Sequence, residues 1–322
     1  MKTHIVGIHG LAIKPPRTVL EKWWRLSITE GLCRNIGRLP FFDFRLAYWA
    51  DYINPEPSDP NEKDPDHPLY IAEPFMPFSA SAHEYEETRT PFKKKIKKHI
   101  SRAILSDQFS HVFPTLTESA MRKRFPEIDL YYSHDAPGKI KATAQDDLRA
   151  VLSEALFQYR RHRIVLIAHS MGSLIACDVL YSLEFSIDTF ITIGSPLAIP
   201  LIVEKIREEQ RGSVASNRKI RAPESISGQW LNLFDARDEV GCRPLSDSFA
   251  QNGRGVAPED MVVTNDYCIG ERINPHKVYG YLRCREISDV LFPLIVKDKS
   301  RARIVLENGL AGLFYRLGRR MQ

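Results

Sequence analysis

The chain has 322 residues, 43% of them apolar and 26% charged, and 45 basic against 40 acidic residues leave a net charge of +5. That balance excludes a fibrous or collagenous chain and wholesale disorder, and suits one large domain or two small ones. No stretch reaches about eighteen consecutive apolar residues, so no helix is expected to span a bilayer.

The first eight residues, Met1-Lys2-Thr3-His4-Ile5-Val6-Gly7-Ile8, read as a short strand and lack the pattern of a secretory signal. After Pro15-Pro16, residues 17–36 predict a helix with Val19, Leu20, Trp23, Trp24 and Leu26 on its apolar side. Residues 42–49 predict a second strand.

The character then changes. Eight of the 21 prolines fall between residues 51 and 91, and 54–67 is acidic and almost without apolar residues, so no regular element fits there. A basic stretch follows, in which Lys93, Lys94, Lys95, Lys97, Lys98 and Arg102 occur with no acid, and Phe92, Ile96, Ile100, Ala103 and Ile104 recur at helical spacing. Residues 51–125 are therefore read as one region inserted into a single domain covering 1–322, and expected to act as a cap or lid.

Alternation resumes with a strand expected at 128–132 and a helix at 142–159, whose face carries Leu148, Val151, Leu152, Ala155, Leu156 and Tyr159. Residues 163–168, Arg-Ile-Val-Leu-Ile-Ala, are continuously apolar after the arginine, as a parallel strand covered on both faces requires. A helix at 172–183, a strand at 187–193, a helix at 198–210 and a strand at 229–234 follow, then a further strand within 260–270 and a mostly helical 276–295. This succession predicts an α/β fold, an open and mostly parallel sheet with helices on both faces.

Residues 297–322 carry seven basic and two acidic residues. Leu306, Leu310, Leu313, Phe314 and Leu317 share one helical face, with Arg316, Arg319 and Arg320 off it, although Gly309, Gly312 and Gly318 weaken the helix. Such a segment either meets an anionic membrane or docks on the core. With the two basic segments set aside, the remainder of the chain is net acidic, which is not the footprint of a nucleic-acid binder. The five cysteines (33, 177, 242, 268, 284) form no C-x-x-C pair, and are expected to be reduced thiols of a cytoplasmic protein.

Chemistry concentrates at Ala168-His169-Ser170-Met171-Gly172, where a buried strand runs through a small-x-Ser-x-Gly turn straight into a helix. That is the context of a nucleophile elbow, whose strained turn demands small residues two before and two after the serine. The helix behind Ser170 aims the Met171 N–H at a developing oxyanion. The chain resembles the lipase and esterase members of the α/β-hydrolase superfamily, with Ala168 in place of the first glycine of G-x-S-x-G. His9-Gly10-Leu11 resembles their H-G oxyanion loop, which implies the Leu11 N–H as second donor. Gly194-Ser195-Pro196 is similar too, and the likeness covers about residues 1–50 and 126–295.

In that fold the chain order is serine, acid, histidine. Only His276 of the ten histidines follows Ser170, so it must be the base if the fold is right. Asp235, Asp238 and Glu239 all follow the strand at 229–234, and the resemblance favours Asp238, since these hydrolases place an Asp closely followed by Val there. Asp235 stays open as the alternative. His169 is expected to pack beside the elbow, His9 to support its loop, and Trp23-Trp24 to divide between surface and core. The expectation is a serine hydrolase of small-molecule or lipid esters, using Ser170, His276 and Asp238 with Leu11 and Met171, and no metal or organic cofactor. Acyl transfer or thioester cleavage by the same residues, and a non-catalytic hydrolase fold used for binding, remain open.

Overall fold

The structure, a computed structural model, describes residues 1–78, 131, 141–210, 219–241 and 243–319. Its elements are β1 (Thr3–Ile8), α1 (Arg17–Ile36), β2 (Asp43–Ala47), a short α2 (Ala50–Ile53), α3 (Lys141–Phe157), β3 (Arg163–His169), α4 (Gly172–Ser182), β4 (Ile187–Ile193) and α5 (Pro200–Glu209). They continue with β5 (Ile220–Arg221), β6 (Ile226–Phe234), β7 (Phe249–Ala250), β8 (Pro258–Val262), β9 (Cys268–Ile269), β10 (Arg272–Ile273), α6 (Val278–Arg283), α7 (Arg285–Val296) and α8 (Arg301–Arg319).

Six strands form one sheet in the order β2-β1-β3-β4-β6-β8, every neighbouring pair parallel. A parallel sheet of this kind needs apolar residues on both faces of its central strands, because crossover helices cover both. β3 shows the rule residue by residue. Ile164, Leu166 and Ala168 enter one core with Leu152, Leu156 and Leu174, while Val165 and Ile167 enter the other with Trp24, Ile28 and Leu291. Helices α3, α4 and α5 thus cover one face, and α1, α6 and α7 the other. The α/β class predicted from the alternation is the class observed.

Several local expectations change. Of the strand expected at 128–132 only Tyr131 is described; its backbone is helical, and its hydroxyl donates to Asp178. The strand expected within 260–270 ends at Val262, and Cys268–Ile269 belongs to a separate two-residue antiparallel hairpin with Arg272–Ile273. On α1 the buried line is Leu20, Trp24, Ile28 and Leu32, with Val19, Trp23 and Leu26 only half-buried. Trp23 and Trp24 divide as their neighbouring positions on a helix require. The basic segment at 92–104, and most of the expected cap, lie outside the described residues. Residues 54–78 of the insertion are described and, as the prolines dictate, contain no regular element.

The inserted stretch is held to the body by a buried ionic cluster that no hydrophobic pattern announces. The Arg283 guanidinium, at the end of α6, reaches Glu30 of α1 at 3.1 Å, Asp266 at 2.5 Å and the Met76 carbonyl at 2.6 Å. Glu30 also accepts the Phe78 N–H at 2.9 Å, and Arg34 lies 4.0 Å above the Phe78 ring. Removing one member of such a cluster leaves its counter-charges buried without their partner, which costs about 3–5 kcal/mol. Arg283→Met is therefore expected to lower unfolding free energy by that order in urea titration. Arg283→Lys should recover little of it, because a point charge cannot span the cluster as a planar guanidinium does.

Candidate active site

The residues expected to carry the chemistry follow strands of the main sheet: Gly10 after β1, Ser170 after β3, Gly194 after β4, Asp238 after β6, and His276 after β8 and the β9–β10 hairpin. The strand order reverses at β1 and β3, since β2 lies on one side of β1 and the later strands on the other. Crevices of open α/β sheets form at such a switch point, outside the carboxyl ends of the strands. Gly10 and Ser170 follow the two strands of that switch point.

Ser170 has a left-handed backbone, φ 53°, unusual for a residue with a Cβ. Its N–H continues the β3–β4 ladder to the Ile193 carbonyl at 3.1 Å, while its carbonyl accepts the Ser173 N–H at 2.9 Å and the Ser173 hydroxyl at 2.6 Å. The chain therefore leaves the sheet and enters α4 within one residue. Glycine is required at 172: a Cβ there would stand 2.6 Å from the His9 carbonyl oxygen and 2.8 Å from that of Ile8. At Gly10 a Cβ would meet the Ser170 Cβ at 2.7 Å, so the loop after β1 is in close contact with the serine.

Trp49 clamps that loop. Its backbone N–H donates to His9 Nε2 at 3.1 Å and its indole N–H to the His9 carbonyl at 2.9 Å, with the two rings stacked at 4.7 Å. Since Nε2 accepts, the proton of the neutral ring is on Nδ1, 2.8 Å from the Gly10 carbonyl. His9 supports its loop, as expected from the sequence.

The structure brings Ser170, His276 and Asp238 together. His276 Nε2 lies 3.0 Å from the Ser170 hydroxyl, and His276 Nδ1 lies 2.8 Å and 3.0 Å from the two Asp238 oxygens. Asp238 is fully buried, and also accepts from the Tyr281 hydroxyl at 2.8 Å and from the Val240 and Gly241 N–H groups at 2.9 and 3.2 Å. Burial by itself would raise its carboxyl pKa. The adjacent His276 and these donors outweigh burial and hold it below the ordinary carboxylate value. Asp235, the alternative, faces elsewhere: its oxygens take Arg237 at 2.8 Å and the Asn265 N–H at 2.7 Å. A hydroxyl in reach of an imidazole that a carboxylate holds from behind is a hydroxyl that can give up its proton.

The His276 loop is positioned by His169, Asn274 and Glu73, none of which the sequence marks for that role. His169 Nε2 donates to the His276 carbonyl at 2.8 Å, and Asn274 Oδ1 accepts the His276 N–H at 3.0 Å. Glu73, in the inserted stretch, takes Asn274 Nδ2 at 2.7 Å and Lys277 Nζ at 3.3 Å, so the insertion holds both flanks of His276. The only sequence signal for Tyr281 is its place one turn into the helix after His276; for Glu73 there is none. Lys14, half-buried beyond the His9 loop, is pushed down to about 7 by burial and by Lys277, against the opposing pull of Glu73.

Both histidines at the elbow are kept neutral. Burial, assisted by Lys14, pushes His9 down to about 3, and burial followed by the neighbouring His276 pushes His169 well below its ordinary value. An unfolded chain protonates these rings below about pH 6.5 while the folded chain does not, so the unfolded state binds more protons there. Stability is therefore expected to fall as pH drops from about 6.5 towards 4, by up to about 1.4 kcal/mol per unit for each ring. Urea midpoints measured across that range should fall less steeply in His9→Gln than in the wild-type chain.

No protein-family model matches this chain, and no curated protein matches its sequence.

Proposed function

We propose that the protein is a serine hydrolase of the α/β-hydrolase type that cleaves carboxylic esters of small molecules or lipids. The observation that carries this reading is the continuous line from the Ser170 hydroxyl to His276 Nε2 at 3.0 Å and from His276 Nδ1 to Asp238 at 2.8 Å. It is supported by the left-handed backbone of Ser170 at the end of a central parallel strand, which lifts the hydroxyl out of the sheet.

In this mechanism the Ser170 oxygen attacks the acyl carbonyl as its proton passes to His276 Nε2. Asp238 holds the Nδ1–H and stabilises the imidazolium that forms. The N–H groups of Leu11 and Met171 receive the oxyanion. His276 returns the proton to the leaving alcohol, and a water deprotonated by the same nitrogen then cleaves the acyl-enzyme and restores the serine. The sequence of steps calls for no metal or organic cofactor.

A fluorophosphonate probe is expected to label Ser170. A panel of p-nitrophenyl esters of increasing chain length, with a phospholipid and a triglyceride added, will show which acyl chain and head group are accepted. Ser170→Ala and His276→Ala should each lower kcat on the order of 10^6-fold, and Asp238→Asn on the order of 10^4-fold. Asp235→Asn should leave kcat within a few-fold and lower stability instead, because that carboxylate binds Arg237. Turnover retained in Ser170→Ala overturns the assignment; a wild-type chain with no adduct favours a binding module. Ester formation with added alcohol in place of hydrolysis identifies an acyltransferase.

A further inference from the structure

Over residues 301–310, where its side chains are described, helix α8 turns Glu307 and Asn308 inward beside the half-buried Ile304. Glu307 is only 5% exposed, and its carboxylate takes Arg303 Nε at 2.8 Å, Lys299 Nζ at 2.5 Å and the Phe41 N–H at 3.0 Å. One residue on, Asn308 Oδ1 accepts the Leu39 N–H at 2.7 Å. The opposite side is apolar and faces solvent: Val305 is 66% exposed, Leu306 63% and Leu310 42%. Phe41, whose N–H meets Glu307, is 47% exposed.

An ordinary surface helix does the reverse, burying its apolar stripe and hydrating its charges. Exposed apolar residues grouped on one helix mark a surface that meets something. The charges around the group indicate what that is. Arg38, Lys297, Arg301 and Arg303 are exposed; Asp298, the exposed acid beside Lys297, is paired with Arg163, and Glu307, the sole acid of α8, is buried and neutralised. The sequence repeats leucine at the same spacing at Leu313 and Leu317, and adds Arg316 and Arg319.

We propose that this face of α8 is a docking surface for an anionic lipid membrane. The apolar side chains enter the boundary between head groups and acyl chains, and the surrounding cations meet the lipid phosphates. A second copy of the chain fits less well, since pairing the face with itself would oppose Lys297, Arg301 and Arg303 to their own equivalents. The inference is independent of the chemistry assigned to Ser170.

The test is co-sedimentation of the full chain with vesicles of phosphatidylcholine alone and of phosphatidylcholine mixed with phosphatidylserine, at low and high salt. Binding is expected to the anionic vesicles, at least about tenfold above the neutral ones and weakened by salt. Leu306→Glu combined with Leu310→Glu should abolish it. Lys297→Ala combined with Arg301→Ala should weaken it about fivefold per charge removed. Both pairs lie at exposed positions, so an unchanged unfolding midpoint will show that loss of binding is not loss of fold. Negligible binding to both vesicles, or equal binding to both, overturns the proposal. So does a dimer in sedimentation velocity that Leu306→Glu with Leu310→Glu dissolves, which would assign the face to a second copy.

Discussion

A serine held at φ 53° is the constraint around which the carboxyl end of the sheet is organised. A left-handed residue bearing a Cβ costs on the order of 1–2 kcal/mol, and it persists only where its surroundings over-determine it. Both sides of Ser170 are fixed. Before it, β3 is buried along its whole length and locked between β1 and β4. After it, α4 begins so close to the end of β1 that a Cβ at position 172 would clash with two carbonyl oxygens. The strand cannot continue and the helix cannot retreat, so the turn is confined to one residue.

His276 depends on a different kind of support. It follows a two-residue hairpin and a loop, with no long element to orient it. Its place is set by hydrogen bonds from four directions: His169 at its carbonyl, Asn274 at its N–H, Asp238 and Ser170 at its ring. Asn274 in turn is held by Glu73, and the stretch around Glu73 is secured through Met76 to Arg283 and through Pro74 to Tyr267. The inserted segment is thereby part of what aims the imidazole, even though it contributes no group to the line from Ser170 to Asp238.

Two buried carboxylates keep their charge because donors surround them. Asp238 is ringed by His276, Tyr281 and two backbone N–H groups, and keeps its charge against burial. Glu307 takes two cations and one N–H, and in doing so turns the apolar side of α8 outward. Where imidazoles are buried without a carboxylate, at His9 and His169, they stay neutral, and a neutral ring can accept at one nitrogen and donate at the other. The loop clamp by Trp49 relies on that dual role.

What the amino-acid sequence determined by itself was most of what local backbone geometry and burial period set. β3, the turn at Ser170 and the α4 that follows were legible because a continuous apolar run, a small-x-Ser-x-Gly turn and a helical pattern lie within about twenty consecutive residues. His276 was legible by chain order alone. Tertiary structure decided the rest. Asp235 and Asp238 are three residues apart in similar surroundings, and only the folded turn sends one carboxylate to Arg237 and the other to His276. Leu306 and Leu310 looked able to dock on the core, yet both are exposed and their helix is seated by Glu307 and Asn308. The physical reason is the same in both cases. Hydrophobic period reports which residues leave water, whereas a buried polar contact depends on partners brought together from distant parts of the chain, and no local pattern encodes that meeting.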